Sequence, residues 1–282
     1  MKLRATTVVL ALTAGAVVAT AVPAAAAVSP NTFTVVLNST AVAQFTRGFA
    51  TATCPAGSAM VSAGGGGDAI NSIAPTGFGT SATVNMTASG AGESVFAQSQ
   101  CAPTAQFADS FETRALFPNN GTNQYSGSVT CPTGYFSFAG GGFFQTAAGL
   151  VSTTDFFLRT NTPTARGWRV EAMNNTRSDS LVVVARCTPN TGTVILEENY
   201  PIKFAPGTIS GSANGYAHCP AGMLPIVGGA SVTNDGDPAA VTSFLTWSLA
   251  VRAGQIGWFA AGSSGGGGSV NPRLHVIVRC GQ

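Results

Sequence analysis

The chain has few charged residues. Lys, Arg, Asp and Glu make up 9% of its 282 residues, whereas an ordinary globular domain has about 25%. After the N-terminal segment, it has no apolar run of about 20 residues, the length that a helix needs to span a bilayer. Its solubility must therefore rest on Ser, Thr, Asn, Gln and backbone groups.

Motifs of catalysis and of nucleotide or metal binding are also missing. The one Gly-x-Ser-x-Gly match, Gly262-Ser263-Ser264-Gly265-Gly266, runs into the glycine loop Gly265–Gly268 and does not open a helix as a nucleophile elbow does. The run Gly64–Gly67 lacks the lysine of a P-loop and the helix of a dinucleotide site. His218 and His275 have no second histidine at zinc-ligand spacing. The acidic residues are scattered, and none recurs at an aligned position of the repeat described below. We therefore expect a protein that is not an enzyme and that needs no cofactor.

The segment 1–27 has the features of a secretion signal. Lys2 and Arg4 form a basic start, Val8 to Val22 is apolar, and Ala25–Ala27 offers an Ala-x-Ala cleavage site. The alternative is a membrane-spanning helix, but the apolar run is near the lower length limit for a span. We expect cleavage before Val28 and a secreted, extracellular protein in an oxidising compartment.

Cleavage would leave the mature chain with no net charge, because the basic residues fall from 13 to 11 and the acidic residues number 11. Nucleic acid and anionic membrane surfaces both attract proteins with an excess of basic residues. We therefore expect neither as a partner.

Three copies of one cysteine-framed unit follow the signal. Each copy has a Cys-Pro-x-Gly step, a glycine cluster nine or ten residues after the cysteine, and a second cysteine at the end of a hydrophobic strand. The first cysteines are Cys54, Cys131 and Cys219, and the second are Cys101, Cys187 and Cys280. The glycine clusters are Gly64–Gly67, Gly140–Gly142 and Gly228–Gly229. The units span 28–101, 102–187 and 188–282, and we expect them to pack as one domain.

The local pattern predicts an all-β fold with four to six antiparallel strands in each unit. Short segments rich in Val, Thr, Phe and Ile are broken by Gly, Pro and Asn. Trp168 and Trp258 recur at one alignment position, and the alternation of Trp168 with Arg169 favours a buried tryptophan. Unit one lacks this tryptophan, and its corresponding place falls near Val84–Ala88.

The repeat favours disulfides within units, although six cysteines allow 15 connectivities. The expected pairs are Cys54–Cys101, Cys131–Cys187 and Cys219–Cys280. Loops of this size predict about 4 kcal/mol of stabilisation for each disulfide in the chain-entropy model.

The candidate ligand-binding residues lie in segments that we expect to be loops. Sugars stack on exposed aromatic rings and form hydrogen bonds with Asn, Asp and backbone groups, which selects Trp247, Asn174, Asn175, Asn234 and Asp235. Asp235 and Asp237 are also a weak calcium candidate, because Asn234-Asp235-Gly236-Asp237 looks like part of a calcium loop. It lacks the twelve-residue loop and terminal glutamate of an EF-hand, which favours a solvated turn.

The Cys-Pro-x-Gly step, the glycine cluster, Gly167-Trp168-Arg169-Val170 and the closing Val-x-Val-x-Ala-x-Cys strand resemble tandem units of secreted proteins of streptomycetes and other actinobacteria. More distantly, three cysteine-framed β units resemble vitelline membrane outer layer protein I. That resemblance implies a β-prism, in which three sheets surround a pseudo-threefold axis, an architecture shared with several lectins. It transfers no sugar-binding residue, and fold alone does not fix function.

These observations favour a secreted, non-catalytic, lectin-like protein that binds a carbohydrate or cell-envelope polymer through loops. One alternative is a structural or interaction protein of an extracellular matrix or spore surface. Another is a secreted hydrolase or an inhibitor of one. The sequence does not select an oligomeric state.

Overall fold

A computed structural model of the chain describes residues 29–76, 79–107, 109–118, 122–149, 156–174, 179–189, 192–204, 208, 210–235, 242–265 and 271–282. The predicted signal segment 1–27 lies outside these residues. In the described part of the chain, no helix is long and apolar enough to cross a membrane.

Most of the described residues lie in β-strands, which confirms the predicted all-β class. Short 3-10 helices span Pro30–Thr32 and Thr104–Phe107. Unit one contains β1 (Thr34–Val42), β2 (Arg47–Thr53), β3 (Ser58–Gly66), β4 (Ala69–Thr76), β5 (Ser81–Thr87) and β6 (Glu93–Pro103). Unit two contains β7 (Phe111–Phe117), β8 (Gln124–Thr130), β9 (Tyr135–Gln145), β10 (Phe156–Pro163), β11 (Gly167–Asn174) and β12 (Ser180–Pro189). Unit three contains β13 (Val194–Pro201), β14 (Lys203–Phe204), β15 (Ser210–His218), β16 (Leu224–Asp235), β17 (Thr242–Val251), β18 (Gly257–Gly265) and β19 (Asn271–Gly281).

These strands form three antiparallel sheets in the described residues, and every unit is divided between two of them. Sheet A has the order β1-β6-β3-β17-β18-β15-β14, sheet B has β2-β5-β4-β9-β12-β7, and sheet C has β13-β19-β16-β10-β11-β8. Each sheet thus takes half of one unit and half of another: units one and three, one and two, and two and three. This cyclic exchange agrees with the expected pseudo-threefold arrangement and makes the three units one body.

The halves meet at three strand pairs, β3–β17, β4–β9 and β10–β16, which we call the inter-unit joints. At each joint a glycine lies ten residues after the first cysteine of its unit. A Cβ atom on Gly141 would lie 1.9 Å from the carbonyl oxygen of Ile73, and one on Gly229 would lie 2.0 Å from that of Asn161. The corresponding distance from Gly64 to the carbonyl oxygen of Ser248 is 2.6 Å. The glycine clusters therefore permit close approach of a neighbouring unit.

The recurrent tryptophans lie in the core, as the sequence predicts. Trp168 and Trp258 are 0% exposed, and their rings cover Gly140 and Gly228, where a Cβ atom would lie 2.2 and 2.4 Å from ring carbons. Trp168 Nε1 donates a hydrogen bond to Asn161 Oδ1 at 2.8 Å. Each buried indole thus has room above a glycine and a partner for its N–H group.

Unit one replaces this whole arrangement. Ala82 pairs with Pro75 as Trp168 pairs with Pro163, so Ala82 occupies the tryptophan position. The sequence alignment near Val84–Ala88 is therefore wrong by a few residues, although Ala82 keeps the spacing of Trp168 to its closing cysteine. Unit one also has Ala63 at the position of Gly140. The methyl group of Ala63 has room there because Ala82 carries no ring.

The three disulfides have the pairing that the repeat predicts: Cys54–Cys101, Cys131–Cys187 and Cys219–Cys280. Their Cα–Cα distances are 5.6, 5.7 and 5.7 Å. In each case the first cysteine follows a strand of one sheet and the second lies in a strand of another. The disulfides therefore hold the sheets together at the end of the body that carries the Cys-Pro-x-Gly turns.

The residue before each closing cysteine reaches into the neighbouring unit. Gln100 Nε2 donates to Ile226 O at 3.2 Å, and Arg186 Nη1 donates to Gly79 O at 3.0 Å. Arg279 Nη2 donates to the carbonyl oxygens of Thr164 and Ala165 at 2.9 and 2.8 Å. Burial lowers the pKa of Arg279 to about 10. The guanidinium group therefore lies partly out of water, and the two carbonyl oxygens accept hydrogen bonds from it there.

Gly141→Ala should open the joint between units one and two. Its Cβ atom would overlap backbone atoms, which cannot move aside as a flexible side chain can. We expect a loss of about 3 kcal/mol or more in the free energy of unfolding, measured with urea.

The matched control is Gly92→Asn, because Gly92 has a φ of 79° with no atom within 4 Å of its added Cβ. Asparagine tolerates this conformation, so the control should lose less than about 1 kcal/mol. Equal losses in the two variants would contradict the role of Gly141 in close approach.

Candidate functional site

The structure places the described ligand candidates in strands, so the expectation that they lie in loops is wrong, and it places them on different sheets. Trp247 lies in β17 of sheet A, whereas Asn174 ends β11 and Asn234 and Asp235 end β16, all in sheet C. Asn175 lies outside the described residues. The set therefore does not form one site around Trp247.

The calcium candidate stays a prediction, because Asp237 also lies outside the described residues. Within the part of the chain that the structure describes, no three His, Cys, Asp or Glu side chains gather as a metal site would require.

Trp247 belongs to a row of residues that crosses sheet A at right angles to its strands. Residues directly opposite each other in antiparallel strands point to the same face, so the register defines the row. From β1 to β15 it contains Ser39, Phe96, Gly66, Trp247, Ala261 and Asn214. The inner face of β17 carries the buried Leu245, Ser248 and Ala250. The row therefore lies on the outer face.

The indole of Trp247 lies across the neighbouring strand. A Cβ atom on Gly66 would be 2.0 Å from Cε3 and 2.3 Å from Cδ2 of the ring, so only glycine leaves room for it. The ring of Phe96 lies beyond, with its centroid 5.3 Å away and its plane tilted by 32°. Trp247 remains half-buried, and these two rings form a partly exposed aromatic surface.

Beside this surface runs an open groove of about 560 Å³ between β15, β17 and β18. Its polar lining residues are Ser212, Asn214, Thr246 and Ser263, and its apolar ones are Ala213, Trp247, Leu249, Phe259, Ala261 and Gly262. The groove thus combines one indole with several hydroxyl and amide groups. Apolar surface with a few polar groups is the kind of lining that ligand-binding sites have.

The groove breaks the threefold repeat of the scaffold. The residue after a β-bulge in the corresponding strands of units one and two is Ser72 and Thr160, where unit three has Trp247. Asn85 Nδ2 donates to Ser72 Oγ at 2.6 Å, and Thr160 Oγ1 donates to Glu171 Oε2 at 3.0 Å. Two faces therefore carry a closed polar pair at this position, and the third carries a half-buried indole.

A buried glutamine fixes the strand that carries Trp247. Gln98 Nε2 donates to Ala250 O at 3.1 Å, and Ala250 N donates to Gln98 Oε1 at 2.7 Å. The side chain of Gln98 crosses β3 at Gly64 and replaces backbone pairing where β3 and β17 separate. Sequence reasoning missed Gln98 because its partner lies 152 residues away.

Sheet C carries three hydrogen-bonded side chains, Thr233, His275 and Glu197, which sequence reasoning also missed. We call them the Thr-His-Glu line. His275 Nε2 lies 2.8 Å from Thr233 Oγ1, and His275 Nδ1 lies 2.7 Å from Glu197 Oε1. A hydroxyl, an imidazole and a carboxylate in this order occur in nucleophilic catalysis. Here they come from three adjacent strands of sheet C, and the side chain of Glu197 is 48% exposed. We interpret the Thr-His-Glu line as part of the polar surface of sheet C.

Phe45 is a second exposed aromatic residue with an unusual backbone. It is 77% exposed and has a φ of 56°, a left-handed conformation that non-glycine residues seldom adopt. Phe45 N donates to Ala88 O at 2.9 Å, and Ala88 N donates to Thr46 O at 3.0 Å. These two bonds hold the turn after β1, and Phe49 in β2 is also 64% exposed.

Tryptophan fluorescence should distinguish Trp247 from the two buried tryptophans. Acrylamide should quench one component of the emission strongly, because only Trp247 among the three is accessible to solvent. Trp247→Phe should remove this component and leave a weakly quenched spectrum. Trp258→Phe is the control and should retain it. A quenchable component that survives Trp247→Phe would contradict the placement of the indole.

Comparison with known proteins does not identify the groove. No model of a protein family matches the chain, and no curated protein is significantly similar to it. The function must therefore be argued from the residues of the groove itself.

Proposed function

We propose that the protein is a secreted, non-catalytic binding protein that takes carbohydrate in the groove of sheet A. The supporting observation is the partly exposed indole of Trp247, which lies beside hydroxyl and amide groups where the other two sheets carry closed polar pairs. The C–H face of a sugar ring packs on an aromatic face, and its hydroxyl groups form hydrogen bonds with Ser, Thr and Asn side chains.

The open form of the groove suits a polymer. A free small ligand is normally enclosed in a concave cavity, whereas this groove lies along a sheet face and leaves room for a chain to continue beyond it. A cell-envelope or other extracellular polysaccharide fits this geometry.

The cysteines support an extracellular place for this activity. All six cysteines are in disulfides, which indicates an oxidising compartment. The proposed secretion signal at 1–27 would bring the chain there, where envelope and matrix glycans are found.

Binding to a glycan array tests this proposal. The mature protein should bind at least one immobilised glycan or peptidoglycan, and Trp247→Ala should weaken that binding about tenfold or more, because it removes the stacking surface. Leu37→Ala is the matched control, since it removes an exposed apolar side chain of sheet A outside the groove. No binding to any glycan, or equal binding by Trp247→Ala and the unaltered protein, would refute the proposal.

The second candidate function, a structural or interaction protein, is favoured by Phe45 alone. A left-handed phenylalanine costs about 1–2 kcal/mol, and its exposed ring gains nothing from burial in the fold. Such strain persists at sites that contact a partner.

Phe45→Asn separates the two candidates. Asparagine adopts the left-handed conformation readily, so we expect an equal or higher melting temperature by calorimetry. If the protein assembles through this turn, sedimentation of the unaltered chain should show concentration-dependent association that Phe45→Asn abolishes. A monomer at all concentrations, with glycan binding unchanged in the variant, would exclude self-assembly through Phe45.

A further inference from the structure

The strands that line the groove carry no charge. No Asp, Glu, Lys or Arg occurs in Ser210–His218, Thr242–Val251 or Gly257–Gly265. In the whole of sheet A only Glu93, which begins β6, and Lys203, in the short edge strand β14, are charged. Sheet C differs, because its strands contain Glu197, Arg169 and Glu171 among others. The absence of charge is therefore a property of the three strands that line the groove, and the rest of sheet A carries only Glu93 and Lys203 as charged residues.

An acidic sugar would be a poor ligand for such a groove. Its carboxylate would lose part of its hydration on binding and would meet no cation in exchange, which is unfavourable. A neutral sugar needs only hydrogen-bond donors and acceptors, and Ser212, Asn214 and Ser263 supply them. The lining also offers no carboxylate to hold a bridging cation.

The row of residues across sheet A indicates the direction in which a bound oligosaccharide would lie. Gly66 and Ala261 flank Trp247 on the two neighbouring strands. The indole therefore reaches over Gly66 to the ring of Phe96 on one side, and the small Ala261 lies beside Trp247 on the other. Neighbouring strands are about 4.8 Å apart, which is close to the length of one sugar residue in an extended chain. A chain laid across the strands from Phe96 to Asn214 would then pass over five strands, with the indole of Trp247 covering Gly66 between Phe96 and Ala261.

We infer that the groove binds a neutral, extended oligosaccharide laid across the strands from Phe96 to Asn214, without a metal ion. This inference rests on the proposed carbohydrate function and adds the charge of the ligand, its direction and its length. Trp247 is the central stacking residue, and Phe96 and Asn214 contact the two ends of the bound segment.

Calorimetric titration of the mature protein tests the inference with defined probes. The neutral probes are hexasaccharides of β-1,4-linked glucose, N-acetylglucosamine and mannose, with the disaccharides of each. The acidic probe is a galacturonate hexasaccharide. We expect at least one neutral hexasaccharide to bind about tenfold or more tightly than its disaccharide, with no change in the presence of EDTA, and the acidic probe to bind more weakly still.

Variants at the two ends test the direction. Phe96→Ala and Asn214→Ala should each weaken hexasaccharide binding several-fold and leave disaccharide binding nearly unchanged, because a disaccharide covers only the centre of the row. Thr40→Ala, an exposed residue one position beyond Ser39 in β1, is the control for folding and should change neither.

The outcomes separate the two levels of the proposal. This inference would be overturned by tighter binding of the acidic hexasaccharide, by loss of binding in EDTA, or by equal affinity for disaccharide and hexasaccharide. In each of these cases, binding that depends on Trp247 would still support the carbohydrate function. Failure of every probe here and of every glycan on the array would overturn both.

Discussion

The structure depends on a close approach between backbones that only glycine permits. At Gly141 and Gly229 a methyl group would lie within about 2 Å of a carbonyl oxygen in the next unit. These contacts join half of one unit to half of another in a single sheet, and the same exchange at all three joints closes a ring. Because no unit keeps a complete sheet of its own, the disulfides stabilise a shared body rather than three separate domains.

The same relation between glycine and tryptophan recurs on both sides of the sheets. Trp168 and Trp258 cover Gly140 and Gly228 inside the core, and Trp247 covers Gly66 outside it. The inner pairs fill space, and unit one can replace them with two alanines without loss of the fold. The outer pair, Trp247 and Gly66, fills no space in the core. We therefore look for a role of Trp247 on the surface of sheet A.

The sequence predicts the scaffold well and the site only in part. The motifs that frame Cys54 and Cys101 recur in units two and three and favour the disulfides within units, and the alternation around Trp168 favours its burial. The exchange of half-units between sheets is not visible in the sequence, because it depends on strand pairs such as β3 and β17, which lie far apart along the chain. Trp247 stands out as an aromatic residue without a counterpart, but Phe96 and Asn214 join it only through the register of distant strands.

The central claim is that recognition takes place on the one sheet face that departs from the threefold repeat. Amide-resolved NMR of the mature protein, titrated with the neutral oligosaccharide that it binds most tightly, tests this most directly. The account predicts chemical-shift changes concentrated in β15, β17 and β18, with the indole N–H signal of Trp247 among them. Changes concentrated in sheet C or at the Cys-Pro-x-Gly turns, with β17 unaffected, would contradict it.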